Sequence, residues 1–165
     1  MLTVDALTKL LHYDEDTGAF SRLITAGGQT RGARAGSLDA EGYRVISVHG
    51  ARYKAHRLAY FYMTGKWPRC QVDHINMIHD GNRWSNLREA TNGENHQNIR
   101  THRSGSSSQT LGASWHRNIG KWQAQIQSDN KKVCLGYFST KQQAHAAYMK
   151  AKKAFHPFGE IAKVA

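Results

Sequence analysis

Cysteine, acidic residues and long apolar runs are all scarce in this chain. Of its 165 residues only two are cysteine, Cys70 and Cys134, far apart in sequence. That usage points to reduced thiols in an intracellular setting rather than to a disulfide framework. Paired CxxC and HxxxH spacings are missing, so Cys70 with His74, His79 or His96 is not expected to form a structural zinc site. The first residues, MLTVDALTKLLHYDED, lack a basic region followed by a long apolar run, so no signal peptide is expected. No stretch approaches the ~20 apolar residues of a membrane-spanning helix. The expected location is the cytoplasm.

Acid is the scarcest charge. Twelve Asp and Glu stand against 23 Lys and Arg, a net charge of +11, and the isoelectric point is near 9.9. Residues 100–165 carry 11 of the basic side chains but only Asp129 and Glu160 as acids, which places +9 of the +11 there. A field of that density attracts polyanions, and counterion release favours phosphate-backbone binding. A basic surface that serves only solubility is the alternative.

What is present is ordered in short segments. Thr3 to Leu11 reads as an amphipathic helix capped by Thr3, with Leu7, Leu10 and Leu11 on one face. A polar turn over 13–18 leads into a strand at 19–24. Gly27, Gly28, Gly32 and Gly36, with Arg31 and Arg34, make a basic loop that either approaches a phosphate backbone or simply connects strands. Residues 43–48 and 51–54 predict a hairpin turning at His49-Gly50, with Arg52 and Lys54 on one face of its second strand. A helix from Ala55 to Thr64 follows, stopped by Gly65. His56 and Arg57 open it and are expected to pack and cap.

The most informative stretch is Gln71 to Arg100, QVDHINMIHDGNRWSNLREATNGENHQNIR. Gln71–Ile75 and Asn86–Arg88 read as short strands flanking a polar loop. Thr91-Asn-Gly-Glu94 fits a capping box, so a helix should begin near Asn92 and carry Asn95. Phosphodiester hydrolysis needs an activated water, a charge clamp on the developing dianion, and help for the leaving oxygen. Asp73 and Asn95 offer hard oxygen ligands of the kind Mg²⁺ or Mn²⁺ accepts. His74, with a reference pKa of ~6.5, suits the general base. Asn86 either fixes the imidazole or pins the loop. The expected catalytic set is therefore Asp73, His74, Asn86 and Asn95, with one metal ion per site on Asp73 and Asn95.

After Arg100 the run THRSGSSSQT reads as a flexible linker over 101–110. Strands are then expected at 113–117, 121–127 and 131–138. A second capping box, Thr140-Lys-Gln-Gln143, should open a helix with Ala144, Ala147, Tyr148, Ala151 and Phe155 on its stripe. Alternation turns Trp122, Ala124 and Ile126 toward that helix. It turns Lys121, Gln123, Gln125 and Gln127 outward, as DNA contacts or as a solvated face. Glutamines can bind adenine edges bidentately, while Arg117 and Lys132 suit phosphate or guanine. Trp115 and Trp122 are expected in the core.

Two resemblances can now be stated. Asp73-His74, Asn86 and Asn95, with Tyr53-Lys-Ala-His-Arg-Leu58, Thr64-Gly-Lys-Trp-Pro68 and Asn82-Arg-Trp-Ser-Asn-Leu-Arg88, resemble the HNH (ββα-metal) endonucleases of the phage and homing type. The resemblance covers roughly residues 43–100. It implies single-metal cleavage of double-stranded DNA to 5′-phosphate and 3′-hydroxyl ends, in a bacterial or phage-infected cell. It departs at Met77-Ile-His-Asp-Gly81, where relatives tend to carry Gly after the Ile-Asn and an Asp before Asn-Arg. Leu111-Gly-Ala-Ser-Trp115, Gly120-Lys-Trp-Gln-Ala-Gln-Ile126 and Leu135-Gly-Tyr-Phe-Ser-Thr140 resemble the APETALA/ethylene-response-factor DNA-binding domain, which implies a reading face on its three-stranded sheet. That family usually carries Arg on these strands where this chain has three Gln.

The expected fold class is α+β: an N-terminal β-hairpin and helix region leads into a ββα-metal core over 1–100. The linker at 101–110 then joins it to a small sheet packed on one helix over 111–165. Arg31, Arg34, Arg52, Lys54 and Arg88 in the first part join Arg117, Lys121, Gln123, Gln125, Gln127 and Lys132 in the second as DNA contacts. No membrane and no small-molecule cofactor are expected, and a monomer is the simplest state. The alternatives are a DNA-binding regulator with a silent HNH domain, which an intact Asp73, His74 and Asn95 argues against, and a basic RNA-binding or ribosomal accessory protein, which leaves the Asp-His…Asn spacing unexplained.

Overall fold

The structure, a computed structural model, describes residues 2–99, 105–128, 131–156 and 158. Among these residues it is mixed α and β, with four α-helices and small antiparallel sheets. Internal contacts divide the chain into two compact units, Met1–Ala90 and Thr91–Ala165. The expected linker falls partly on residues 101–104, outside the described residues. Residues 105–110 form turns in which Ser108 is buried, its hydroxyl donating to the Thr110 carbonyl at 3.1 Å.

The first unit opens with α1 (Val4–Leu10), capped by the Thr3 hydroxyl, which accepts from the Ala6 amide at 3.2 Å. Leu11 leaves the helix and starts β1 (Leu11–Asp14), which pairs with β2 (Ala19–Arg22) in a hairpin. Leu11, expected at the end of the helix, and Tyr13 and Asp14, expected in a turn, thus lie in a strand. The cross-strand partners Tyr13 and Phe20, with ring centroids 4.8 Å apart, show why the strand wins. In the turn, the Asp14 carboxylate accepts from the Asp16 and Thr17 amides, both at 3.0 Å.

A three-stranded sheet follows in the order β3 (Ser37–Leu38), β4 (Arg44–Val48), β5 (Ala51–Lys54). The β4–β5 turn places both His49 (φ 50°) and Gly50 (φ 77°) in the left-handed region, the geometry of a two-residue hairpin whose twist suits its strands. Helix α2 (Ala55–Thr64) ends on Gly65 at φ 72° and buries Ala55, His56, Leu58, Ala59 and Phe61. It packs with Leu7, Leu11, Phe20, Ile46 and Val48 into one apolar core that also takes in Val72 and Leu87. Full burial of a side chain such as Leu58 or Phe20 contributes about 1.5–3 kcal/mol.

Those last two residues belong to β6 (Gln71–His74) and β7 (Leu87–Ala90), which pair antiparallel with Asp73 opposite Arg88 and His74 opposite Leu87. The core thus anchors the ribbon that presents Asp73 and His74. A 3-10 turn over Trp84–Asn86 leads into β7.

The second unit contains α3 (Asn92–Gln97), whose Thr91/Glu94 capping box is formed in both directions. It also holds a sheet in the order β10 (Lys131–Phe138), β9 (Lys121–Ser128), β8 (Ala113–His116), and helix α4 (Lys141–Phe155). The Thr140/Gln143 capping box of α4 is likewise complete. Ala113, Ala124 and Ala144 form a small buried cluster with Trp122, Leu135, Phe138 and Ala147 against it. Two core expectations fail here. Trp115 is 50 % exposed although it lies opposite Trp122, and Phe155 is 46 % exposed. The buried residues of α4 are Ala144, Tyr148 and Lys152; Phe155 shares their face, three positions past Lys152, but is the last residue of the helix.

Candidate functional site

The sequence places Asp73 and His74 at the end of a strand, and the loop that follows is held by side chains rather than by a ladder. Asn86 donates through Nδ2 to the Asn76 side-chain oxygen (2.9 Å) and the Gly81 carbonyl (2.5 Å), and its Oδ1 accepts from the Asn76 amide (3.0 Å). Of its two expected roles, then, the geometry gives Asn86 the loop and not the imidazole. The Met77 amide closes back on the His74 carbonyl at 2.9 Å, with Met77 itself at φ 64°.

The imidazole is met instead by Asn82, which local sequence marks only as part of the Asn82–Arg88 motif. His74 Nε2 lies 3.0 Å from Asn82 Oδ1, and Asn82 is fully buried. Asn82 Nδ2 donates to Asp80 Oδ1 at 3.3 Å. Asp80 in turn accepts from Arg44 Nε and Nη2, both at 2.8 Å, and from Arg34 Nη2 at 3.2 Å. Arg44 is buried and also donates to the Gly36 carbonyl at 3.0 Å. The floor beneath Asn82 comes from the β1–β2 hairpin: Tyr13 donates its hydroxyl to the Asn82 carbonyl at 2.7 Å. Gly18, at φ 74°, packs so closely that a Cβ there would lie 2.2 Å from the Asn82 carbonyl carbon. Only a polar loop residue shared between His and Asp would have marked Asn82 in the sequence, and nothing local distinguishes that from a solvated Asn.

Around His74 the chain assembles a ring of aromatic and basic groups. His56 meets its ring edge to face at 4.9 Å, and Tyr43 lies 6.1 Å away. His79 stacks on Tyr43 at 3.9 Å and sets its Nδ1 2.6 Å from the Glu41 carbonyl. His74 itself is 4 % exposed. Burial pulls its pKa below the usual value, the Asn82 hydrogen bond pulls it back, His79 lowers it, and Asp73 and Asp80 raise it. The net shift is downward, so the ring is neutral at neutral pH and can accept a proton.

Asp73 faces Arg88 across the ribbon. Arg88 Nε and Nη2 donate to Asp73 Oδ2 at 3.1 and 3.0 Å, with both side chains largely buried. The guanidinium of Arg88, an expected DNA contact, lies on the Asp73 carboxylate. Replacing Arg88 with Ala strips a buried carboxylate of its cation and should cost about 3 kcal/mol. Urea denaturation of the two proteins measures it, and a loss below about 1 kcal/mol would mean the pair contributes no more than a surface salt bridge.

The remaining expected positions divide by unit. Arg31 and Arg52 are exposed, and Arg34 pairs with Asp80. Lys54 sits 3.3 Å from the Glu41 carboxylate and 3.7 Å over the Tyr43 ring. In the second unit Asn95 lies on α3. Gln123, Gln125 and Gln127 alternate along β9 with the buried Ala124 and Ile126. Their cross-strand partners are Tyr137 and Ser114, Cys134, and Lys132, while Lys121 faces His116. Arg117, Lys121 and Lys132 are exposed. Cys70 and Cys134 are free and exposed. Among the described residues no three His, Cys, Asp or Glu side chains group as a metal-binding set, and no helix is long and apolar enough to cross a membrane.

Residues 53–97 match the family model described as HNH endonuclease. The matched segment runs from β5 to the end of α3 and contains Asp73, His74, Asn82, Asn86 and Asn95. The match supports a nuclease in general, and with it DNA as the substrate class. No curated protein and no solved structure matches the chain.

Proposed function

We propose that the chain is a metal-dependent DNA endonuclease in which His74 is the general base. The observation that carries this is a buried His74 that follows Asp73 on β6, inside the segment that matches HNH endonucleases. His74 takes a proton from the water that attacks phosphorus. Asn86 keeps the loop after His74 in place through Asn76 and Gly81.

Asp73 and Asn95 supply hard oxygen donors, a carboxylate and a carboxamide, and this donor chemistry fits Mg²⁺ or Mn²⁺ better than a thiophilic metal. A divalent ion held by such donors would contribute positive charge to the phosphate and its leaving oxygen. Arg88 keeps the Asp73 carboxylate oriented on its strand.

The second unit is read as the delivery device, with Arg117, Lys121 and Lys132 on phosphates and the amide row Gln123, Gln125 and Gln127 on base edges. The basic loop residues Arg31 and Arg34 with Arg52 and Lys54 add phosphate contacts in the first unit. The products would carry 5′-phosphate and 3′-hydroxyl ends, and a monomer with one site would nick. A phage or homing role in the cytoplasm fits this architecture, with a nuclease part over 1–100, a linker at 101–110 and a reader over 111–165.

Supercoiled plasmid tests the reading. Purified protein with Mg²⁺ or Mn²⁺ should convert it to open circle, and a chelator should stop the conversion. Plasmid left intact with either cation, by protein that still binds it, would refute the proposal.

A further inference from the structure

We propose that Asn82 is a positioning residue that fixes His74 with its proton on Nε2, so that Nδ1 is the nitrogen that accepts the proton from water. The last clause rests on the reading of His74 as the base; the first does not.

A neutral imidazole has one donor and one acceptor nitrogen, and a carboxamide offers an oxygen acceptor and a nitrogen donor, so the His74–Asn82 contact alone admits two assignments. The next link removes the ambiguity. Asp80 receives Nε and Nη2 of Arg44 and Nη2 of Arg34. A carboxylate so paired has only acceptors to offer. Asn82 must therefore present its NH₂ to Asp80, which leaves its oxygen for His74. An oxygen 3.0 Å from Nε2 requires the hydrogen to be on Nε2.

Arginine ends the chain, and it is a donor in every direction at any working pH. Arg44 is buried and held from a second side by the Gly36 carbonyl, so it cannot swing away and let the polarity reverse. Asn82 is equally fixed, by Tyr13 on its carbonyl and Gly18 beneath its backbone. The run Arg44, Asp80, Asn82, His74 is thus a set of hydrogen bonds with one permitted direction. It spans from β4 to the end of β6. A free imidazole samples both tautomers, so loss of this run would both populate the wrong one and loosen the ring.

The test uses the full-length ¹⁵N-labelled protein. Long-range ¹H–¹⁵N correlation spectra, recorded where the imidazoles are neutral, report which ring nitrogen carries the proton. The His74 signals are identified among those of the ten histidines by their loss in His74→Gln. The wild type should show the Nε2–H form alone. Asn82→Leu, close in volume but without the acceptor, should show a mixture, with kcat for plasmid cleavage down about 10–100-fold and KM for DNA unchanged. Asp80→Asn, which keeps Asn82 but replaces the acceptor-only carboxylate with an amide that can also donate, should shift both readouts the same way by less. It also serves as the deciding variant if Asn82→Leu does not fold.

A wild-type ring protonated on Nδ1 would overturn the proposal. So would wild-type kcat and a single Nε2–H form in Asn82→Leu, or in Asp80→Asn where that variant decides. Absence of cleavage by the wild type with a fixed Nε2–H ring would instead sink the nuclease reading and the role of Nδ1, and leave the Asn82 link standing.

Discussion

Replacing His74 with Ala should reduce plasmid cleavage by about 10²–10⁴-fold, the range a positioned general base contributes, while DNA binding persists. Binding survives because His74 is nearly buried and offers little surface to the DNA backbone. The basic groups expected to hold the backbone, Arg31, Arg52, Lys121 and Lys132, lie elsewhere and are exposed. The fold should tolerate the change better than it would at Asn82, because the carboxamide left behind can still donate to Asp80. Cleavage at the wild-type rate by His74→Ala would remove the base from His74 altogether. A parallel loss of binding and cleavage would show that the variant has lost its structure rather than its chemistry, and circular dichroism separates the two.

A second large effect concerns acid. His56 is 6 % exposed, its Nδ1 has no hydrogen-bond partner among the described residues, and its pKa is lowered to about 3. Burial is the main cause, followed by the positive charges of His74, Lys54, Arg57 and His79. In the unfolded chain the same ring has a pKa near ~6.5. Between these two values the unfolded state holds a proton that the folded state refuses, so stability falls as pH falls through this window. Above ~6.5 the ring is neutral in both states and the term vanishes.

The expected slope is about 1.4 kcal/mol per pH unit below ~6.5, or roughly 2–3 kcal/mol by pH 4.5. His56→Leu, similar in volume and without a titrating group, should flatten that part of the profile even if it shifts the whole curve. Urea denaturation of both proteins from pH 7 to pH 4.5 measures the difference. Parallel profiles would show that His56 titrates normally in the folded protein.

What could be read from the sequence was what depends on neighbours along the chain. The Thr3 cap, both capping boxes, the His49-Gly50 turn and the Gly65 stop each involve residues within a few positions of one another, and each formed as expected. The contacts that build the candidate site are of another kind. Asp73 meets Arg88 through strand register, and Asp80 meets Arg44 and Arg34 across 36 and 46 positions. Neither a helical nor a strand period encodes such pairings. An arginine in a basic chain carries no local mark of the acid it will find, so the pairings of Arg34 with Asp80 and of Arg88 with Asp73 could not be read locally. Strand β3, two exposed residues long, has no pattern to detect, and it exists because Ser37 and Leu38 lie opposite Val45 and Arg44. Trp115 misled for the opposite reason, since a large aromatic reads as core unless the extent of the covering helix is known.

The hairpin under Asn82 bears on where this chain can be cut. The family match begins at residue 53, which invites the idea that a short fragment starting there is the catalytic minimum. Yet the carbonyl of Asn82 is held by Tyr13, its backbone rests on Gly18, and the acid that orients it is neutralised from Arg34 and Arg44. All four lie upstream of the match. A truncation at residue 53 would leave the recognised motif whole and remove the scaffolding that aims its histidine. Modularity in this protein follows three-dimensional support rather than the ends of the recognisable segment, and a working core must reach back at least to β1.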